Sequence, residues 1–192
     1  RINMDSISSK IKDISSIGFA DILSKAIASI FWFYIASLLE PSSYGEITYV
    51  FSIAGVTSAF ALLGSSNTVT IYVAKKIPIE STLYFITLLS GIASSIVLFL
   101  IFFDIGLIFL NIGILIFSLV ISELLGNQLY KIYGKSVIIQ KILMVIISIS
   151  FYHIFGENYL VLGIALSYFP FLFYIFKTFS KVKINFSLLK KK

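Results

Sequence analysis

The sequence predicts an all-α polytopic membrane protein, a six-helix transmembrane bundle. Three observations lead there. The chain is 58% hydrophobic, with a mean hydropathy of +1.01. Its apolar residues gather into six long runs with short polar clusters between them. A hydrocarbon core ~30 Å thick is crossed by about 20 apolar residues of helix, and each run is long enough. The polar clusters also alternate in kind, basic in one set of gaps and acidic in the other.

The runs cover 14–39, 47–74, 82–103, 107–129, 137–155 and 159–176. They are apolar nearly all round, whereas a soluble helix keeps a polar face. They also lack the alternation of a transmembrane barrel strand. Ahead of the first run, Ile7, Ile11 and Ile14 fall at helical spacing beside Lys10 and Lys12. That pattern predicts an interfacial amphipathic segment over 1–13. After the first run comes the first outer turn, Glu40-Pro41-Ser42-Ser43-Tyr44-Gly45-Glu46, where proline and glycine break the helices and the serines can cap the next one. Span two is rich in small residues, and Gly55 with Ala59 makes a small-xxx-small pair that lets another backbone approach. Pro78 marks the turn into span three. Spans three to five are dominated by Ile, Leu and Phe. Pro170 lies inside span six, where it is expected to kink the helix.

The transmembrane lobe is therefore placed at 14–179 and a basic tail at 180–192. Ile184-Asn185-Phe186-Ser187-Leu188-Leu189 followed by three lysines reads as the approach to another helix. With an opening Arg1, it suggests half of a larger protein.

Basic residues set the orientation. Arg1, Lys10 and Lys12 precede the first run, and Lys75 and Lys76 follow the second. Lys131, Lys135 and Lys141 surround the gap before the fifth. Lys177, Lys181, Lys183 and Lys190 to Lys192 follow the sixth. The opposite gaps hold Glu40, Glu46, Asp104 and Glu157 and no base. Basic loops resist translocation, so both termini are expected in the cytoplasm and the protein in the cytoplasmic (cell) membrane. Topology thus accounts for the +6 net charge without a nucleic-acid partner. The basic ends can also attract anionic headgroups, which makes membrane lipids a partner.

No cysteine is present, which excludes disulfides, iron–sulfur clusters and thiol nucleophiles. The first run is too long for a signal-peptide core. His153, the sole histidine, falls near the outer end of span five and reads as interfacial. One histidine and scattered acids leave nothing for a zinc site or a catalytic triad. No metal, cofactor or catalytic residue is expected, and an enzyme is poorly supported.

The functional candidates are polar groups at membrane depth, which cost several kcal/mol unless paired or hydrated. By helical rise Asp21 lies ~12 Å and Lys25 ~18 Å beyond Asp13. Glu123 lies ~12 Å from Lys131 and Asn67 ~12 Å from Lys75 by the same measure. These four would form a polar layer if their faces converge. Asp21 and Lys25 are spaced i,i+4, where an acid and a base can meet, and Gly18, Ser29 and Trp32 continue that face. Either the two neutralise one another, or the stripe lines an aqueous cavity where Lys25 attracts an anionic headgroup. Glu123, with no partner on its own helix, either finds Lys25 or protonates.

Asp21-Ile22-Leu23-Ser24-Lys25 leads through an apolar helix to Leu38-Leu39-Glu40-Pro41-Ser42-Ser43-Tyr44-Gly45. Then come Leu62-Leu63-Gly64 and Tyr72-Val73-Ala74-Lys75-Lys76. Over 18–76 the chain resembles the amino-terminal half of the polysaccharide (O-antigen/lipid-linked oligosaccharide) flippases, within the multidrug/oligosaccharidyl-lipid/polysaccharide exporter superfamily. The resemblance implies two six-helix lobes about a central cavity, of which this chain supplies the first and a C-terminal lobe is missing. It implies flipping of a polyprenyl-phosphate-linked glycan, with Lys25 attracting the carrier's phosphate. The family's glycine-leucine step reads Gly64-Ser65 here, which makes the cavity wall more polar. A cation-coupled multidrug exporter of the same superfamily is the nearest alternative, with Asp21 or Glu123 binding the ion. A non-transporting membrane scaffold is the other.

Overall fold

The structure, a computed structural model, describes residues 4–185, with side chains from residue 15 onward. It is an all-α bundle with six helices or helix sets long and apolar enough to cross a membrane, and no strand among the described residues. The protein is a multi-pass membrane protein.

Helix α1 runs unbroken over Met4–Leu38. Its backbone carries no turn between the segment expected at the interface and span one. The side chains of 4–14, and the run of residues from 186 that was read as an approach to another helix, lie outside what is described. Helix α2 (Pro41–Leu62) starts much earlier than the sequence suggests. Proline at the first helical position is pre-set for the helix and loses no bond there. Gly45 is therefore helical. The N-cap is Glu40, whose side chain makes no capping bond, and neither serine caps the helix.

Span two does not run on to residue 74 unbroken. Leu63 (φ 49°) and Gly64 (φ 74°) both adopt left-handed backbone, and α3 (Ser65–Ala74) restarts from Gly64. Glycine makes such a step inexpensive at one of the two positions.

Helices α4 (Glu80–Phe102) and α5 (Ile105–Gly126) form a hairpin. It turns at Asp104, whose carboxylate accepts from the amides of Gly106 (2.7 Å) and Leu107 (3.3 Å) as an N-cap. Helix α6 is Tyr130–Phe155. It begins about two turns before the apolar run suggests, so Lys141 is not in a gap: it sits near the middle of the span. Span six is segmented as expected around Pro170. A short 3₁₀ turn at Glu157–Tyr159 leads into α7 (Leu160–Leu166), a second 3₁₀ turn spans Phe169–Phe171, and α8 (Leu172–Lys181) completes it.

Helix α5 is the hub. It packs against α4, α2, α3 and α7, while α6 joins α7 to α1 at the edge. One core cluster fills the acidic end around Phe31, Ile35, Leu107, Leu110, Met144 and Ile164. The other fills the basic end around Val69, Ile79, Tyr84, Leu119, Tyr133 and Ile175. Outward-facing side chains are apolar instead of charged: Phe33 is 77%, Phe60 75% and Phe173 69% exposed. Surface of this kind suits hydrocarbon. Many serine and threonine hydroxyls bond back to carbonyls of their own helix, among them Thr48, Ser52, Ser58 and Ser94. This satisfies them inside lipid without a partner helix.

Candidate functional site: a lysine-lined groove between the first two spans

Helices α1 and α6 run parallel and in close register. A Cβ added at Gly134 would lie 3.1 Å from that of Ala20, and the Tyr133 hydroxyl donates to Asp21 Oδ1 at 2.9 Å. These contacts fix the rotation of α1. Asp21 points to one flank of the α1–α6 pair, and Lys25 and Trp32, four and eleven residues on, return to that flank within about 40° at 3.6 residues per turn.

Trp32 shows what that flank faces. Its ring meets Tyr44 edge-on at 6.2 Å and Phe51 at 5.5 Å, both on α2. Beyond this aromatic cluster α1 touches α2 only briefly, its main partner being α6. Gly55, one turn past Phe51, has nothing within 4 Å of where a Cβ would stand. The pairing expected of Gly55 and Ala59 is therefore absent, and the buried small residues of α2 are Ala54, Ser58 and Ala61 instead. The first two spans thus splay into a groove, plugged at the acidic end by Trp32, Tyr44 and Phe51.

Lys25 is exposed on the groove side of α1 and has no hydrogen-bond or ion-pair partner among the described residues. The expected pairing with Asp21 is not made, because Asp21 is turned to Tyr133. Equating Ala20 with Gly134 puts Lys25 about 14 Å from the start of α6. The Thr70 hydroxyl donates to the Ser122 carbonyl at 3.1 Å, which puts the Leu63-Gly64 break about 15 Å from the end of α5. The break therefore lies near the depth of Lys25. The first amides of α3 have no side-chain cap there, and Ser66 Oγ is buried without a partner. Asn67, in the first turn of α3, is exposed.

Glu123 belongs to a different cluster. Its Oε2 accepts from the Tyr84 hydroxyl at 2.6 Å and from Thr178 Oγ1 at 2.8 Å. Ser81 Oγ donates to the Thr178 carbonyl at 3.2 Å, and the Glu80 carboxylate lies within electrostatic range of Glu123. Glu123 neither meets Lys25 nor stands alone: it ties α4, α5 and α8 together near the basic end. The polar layer expected of all four candidates is not formed. Asp21 and Lys25 share a flank, whereas Glu123's partners are on other helices.

The structure adds Tyr133, Tyr84, Thr178 and Lys141 to the polar groups at depth. Lys141 was legible as a base within the apolar run 137–155; the hydroxyl partners carried no signal of their own. Among the described residues no group of three His, Cys, Asp or Glu side chains is placed to hold a metal ion. An open cavity of ≈ 440 Å³ at the acidic end is lined by Glu46, Asp104, Glu157 and Tyr159 among others, and contains none of the candidates. His153 is exposed at the same end of α6, as an interfacial side chain would be.

Comparison with protein-family models, with curated proteins and with solved structures finds no match.

Proposed function

We propose that the chain acts as the amino-terminal lobe of a flippase that moves lipid-linked oligosaccharide across the cytoplasmic membrane, with both termini cytoplasmic. The observation that carries this reading is Lys25, a base at mid-depth with no partner among the described residues, facing a groove between the first two spans. A mid-membrane cation must be hydrated or paired, and an anionic headgroup would supply the pair. The groove's apolar surroundings suit a polyprenyl tail, and its open flank lets the tail stay in lipid while the sugar crosses in water. The broken second span supports transport as well. Interrupted helices with a half-helix start at mid-depth recur at the substrate sites of repeat-built transporters, and irregular backbone at depth is tolerated where it lines a wet cavity or is buried in protein. A second lobe rocking against this one would open the groove to each leaflet in turn. Cation-coupled drug export is less well supported, because the Lys25 ammonium, exposed at mid-depth one turn from Asp21, repels cations.

The test is complementation of glycan export in cells lacking the gene, with membrane levels matched by immunoblot. Lys25→Ala is expected to abolish export, alone or with Asp21→Asn, while Lys25→Arg keeps part of it. Full export by the Lys25→Ala/Asp21→Asn double variant would defeat the phosphate-binding role.

A further inference from the structure

The chain after span six folds back onto the bundle at its basic end. Helix α8 stops at Lys181, and Val182 is extended (φ −118°, ψ 121°). Three residues further on, the Asn185 amide donates to Thr82 Oγ1 at 2.9 Å. Thr82 is fully buried in the first turn of α4, so this bond pins the tail beside the turn that joins α3 to α4. Between tail and turn lies an open cavity of ≈ 430 Å³, lined by Pro78, Lys181, Val182, Lys183, Ile184 and Asn185. Lys181 and Lys183 are exposed and make no hydrogen bond or ion pair among the described residues. Lys75 and Lys76 precede Pro78, and Lys177 lies about one turn before Lys181. Glu80 and Glu123 are the carboxylates that α4 and α5 bring to this end. Both remain counter-charges, but neither lines the cavity, and the five lysines outnumber them. Below the lysines, α8 turns apolar side chains outward: Phe173 is 69% and Phe176 65% exposed. Phe173 and Lys177 are spaced i,i+4, as are Lys177 and Lys181, so ring and ammonium groups share one flank of the helix.

Independently of what the bundle transports, we propose that this cavity is a headgroup site for an anionic phospholipid of the leaflet at the basic end. Lys181 and Lys183 hold its phosphate, and its acyl chains lie along Phe173 and Phe176. Basic side chains at the membrane surface attract anionic lipid wherever they stand. Here two of them also flank a concave seat, one on a helix end and one on a segment pinned to α4. Charge-assisted contacts to phosphate from such fixed donors are the strong ones. A zwitterionic headgroup brings a cation of its own, which the same lysines repel. A soluble phosphate gains the charge contact but leaves the aromatic flank uncovered. The bound headgroup also ties the tail to the turn between α3 and α4.

The experiment measures equilibrium binding of radiolabelled phosphatidylglycerol and phosphatidylcholine to the purified 192-residue chain in neutral-detergent micelles. The wild type is expected to bind the anionic lipid about tenfold or more tightly. The double variant Lys181→Gln/Lys183→Gln should cut that preference to about twofold or less, and Lys181→Arg/Lys183→Arg should retain it. Lys131→Gln/Lys135→Gln removes the same charge from the same end, but on α6, whereas α8 packs on α4 and α5. That pair should keep the preference. All four lysines are exposed, so the substitutions leave the packed core untouched. Equal losses in the two glutamine pairs would overturn the site, because the attraction would then belong to the basic end as a whole. An undiminished preference in the 181/183 pair would overturn it as well. So would displacement of the lipid by an equal concentration of glycerol 3-phosphate, since the ligand would then be a soluble anion. Binding involves no transport step, so none of these outcomes depends on whether cells export glycan.

Discussion

At the scale of single residues, the hydroxyl groups around Glu123 decide whether an acid can stay inside this bundle. The carboxylate takes two short donors, Tyr84 and Thr178, from α4 and α8. Hydrogen bonds to a charged group are worth roughly 1.5–3 kcal/mol each. Tyr84→Phe is therefore expected to lower stability by about 2 kcal/mol, read as an earlier unfolding midpoint in mixed micelles. Combined with Thr178→Val, the two losses should not add, because both act on one oxygen. Unchanged stability in Tyr84→Phe would mean that Glu123 has no such bond. Asp21 shows the same logic: a tyrosine across the helix interface bonds it, and the nearby Lys25 has no partner among the described residues.

The helix elements owe their form to local chemistry at their ends. Pro41 starts α2 and Asp104 caps α5. Span six shifts to 3₁₀ hydrogen bonding before and through the proline segment, with Ser167, Tyr168 and Phe171 bonding three residues back. The break in span two gives a prediction of sign. A left-handed residue other than glycine costs roughly 1–2 kcal/mol. Gly64→Ala should thus destabilise the protein by about 1 kcal/mol or more, while Leu63→Gly should be neutral or stabilising. In an unbroken helix both signs reverse, since alanine is favoured over glycine there by about 1 kcal/mol. Measuring the two variants side by side separates the cases.

For the molecule as a whole, the arrangement of charge predicts its placement in the bilayer. Lys75, Lys76, Lys131, Lys135 and Lys181 lie toward one end of the bundle, and Glu40, Glu46, Asp104 and Glu157 at the other. Moving Lys141 from the gap into the span removes one base from the first group and leaves the asymmetry intact. The chain has no cysteine, so single cysteines are clean reporters. Cysteines placed at Ser43, Asp104 and Asn158 are expected to react with a membrane-impermeant thiol reagent in intact cells, and those at Lys76, Lys135 and Lys181 only after lysis. The opposite pattern would invert the topology. The groove belongs to this scale too. It exists because α1 follows α6 and meets α2 chiefly at Trp32.

The sequence by itself determined the membrane class, the six spans, the sidedness of charge and the presence of Lys25 at depth. Each depends on composition along one dimension. In lipid a helix satisfies its own backbone, so a span is a local decision written in about 20 residues. Pro170 was equally legible, because a missing amide acts where it stands. Only the tertiary structure decided which side chains meet. Asp21 is 112 residues from Tyr133, and Glu123 is 39 from Tyr84 and 55 from Thr178. Those pairs depend on how each helix is rotated and how helices cross, quantities that close packing of small residues sets between neighbours. Helical spacing put Asp21 within reach of Lys25, but the contact of Ala20 with Gly134 turned it toward Tyr133. The same rotation left Lys25 facing the groove, and Lys141, which the sequence assigns to the gap before span five, lies inside that span instead.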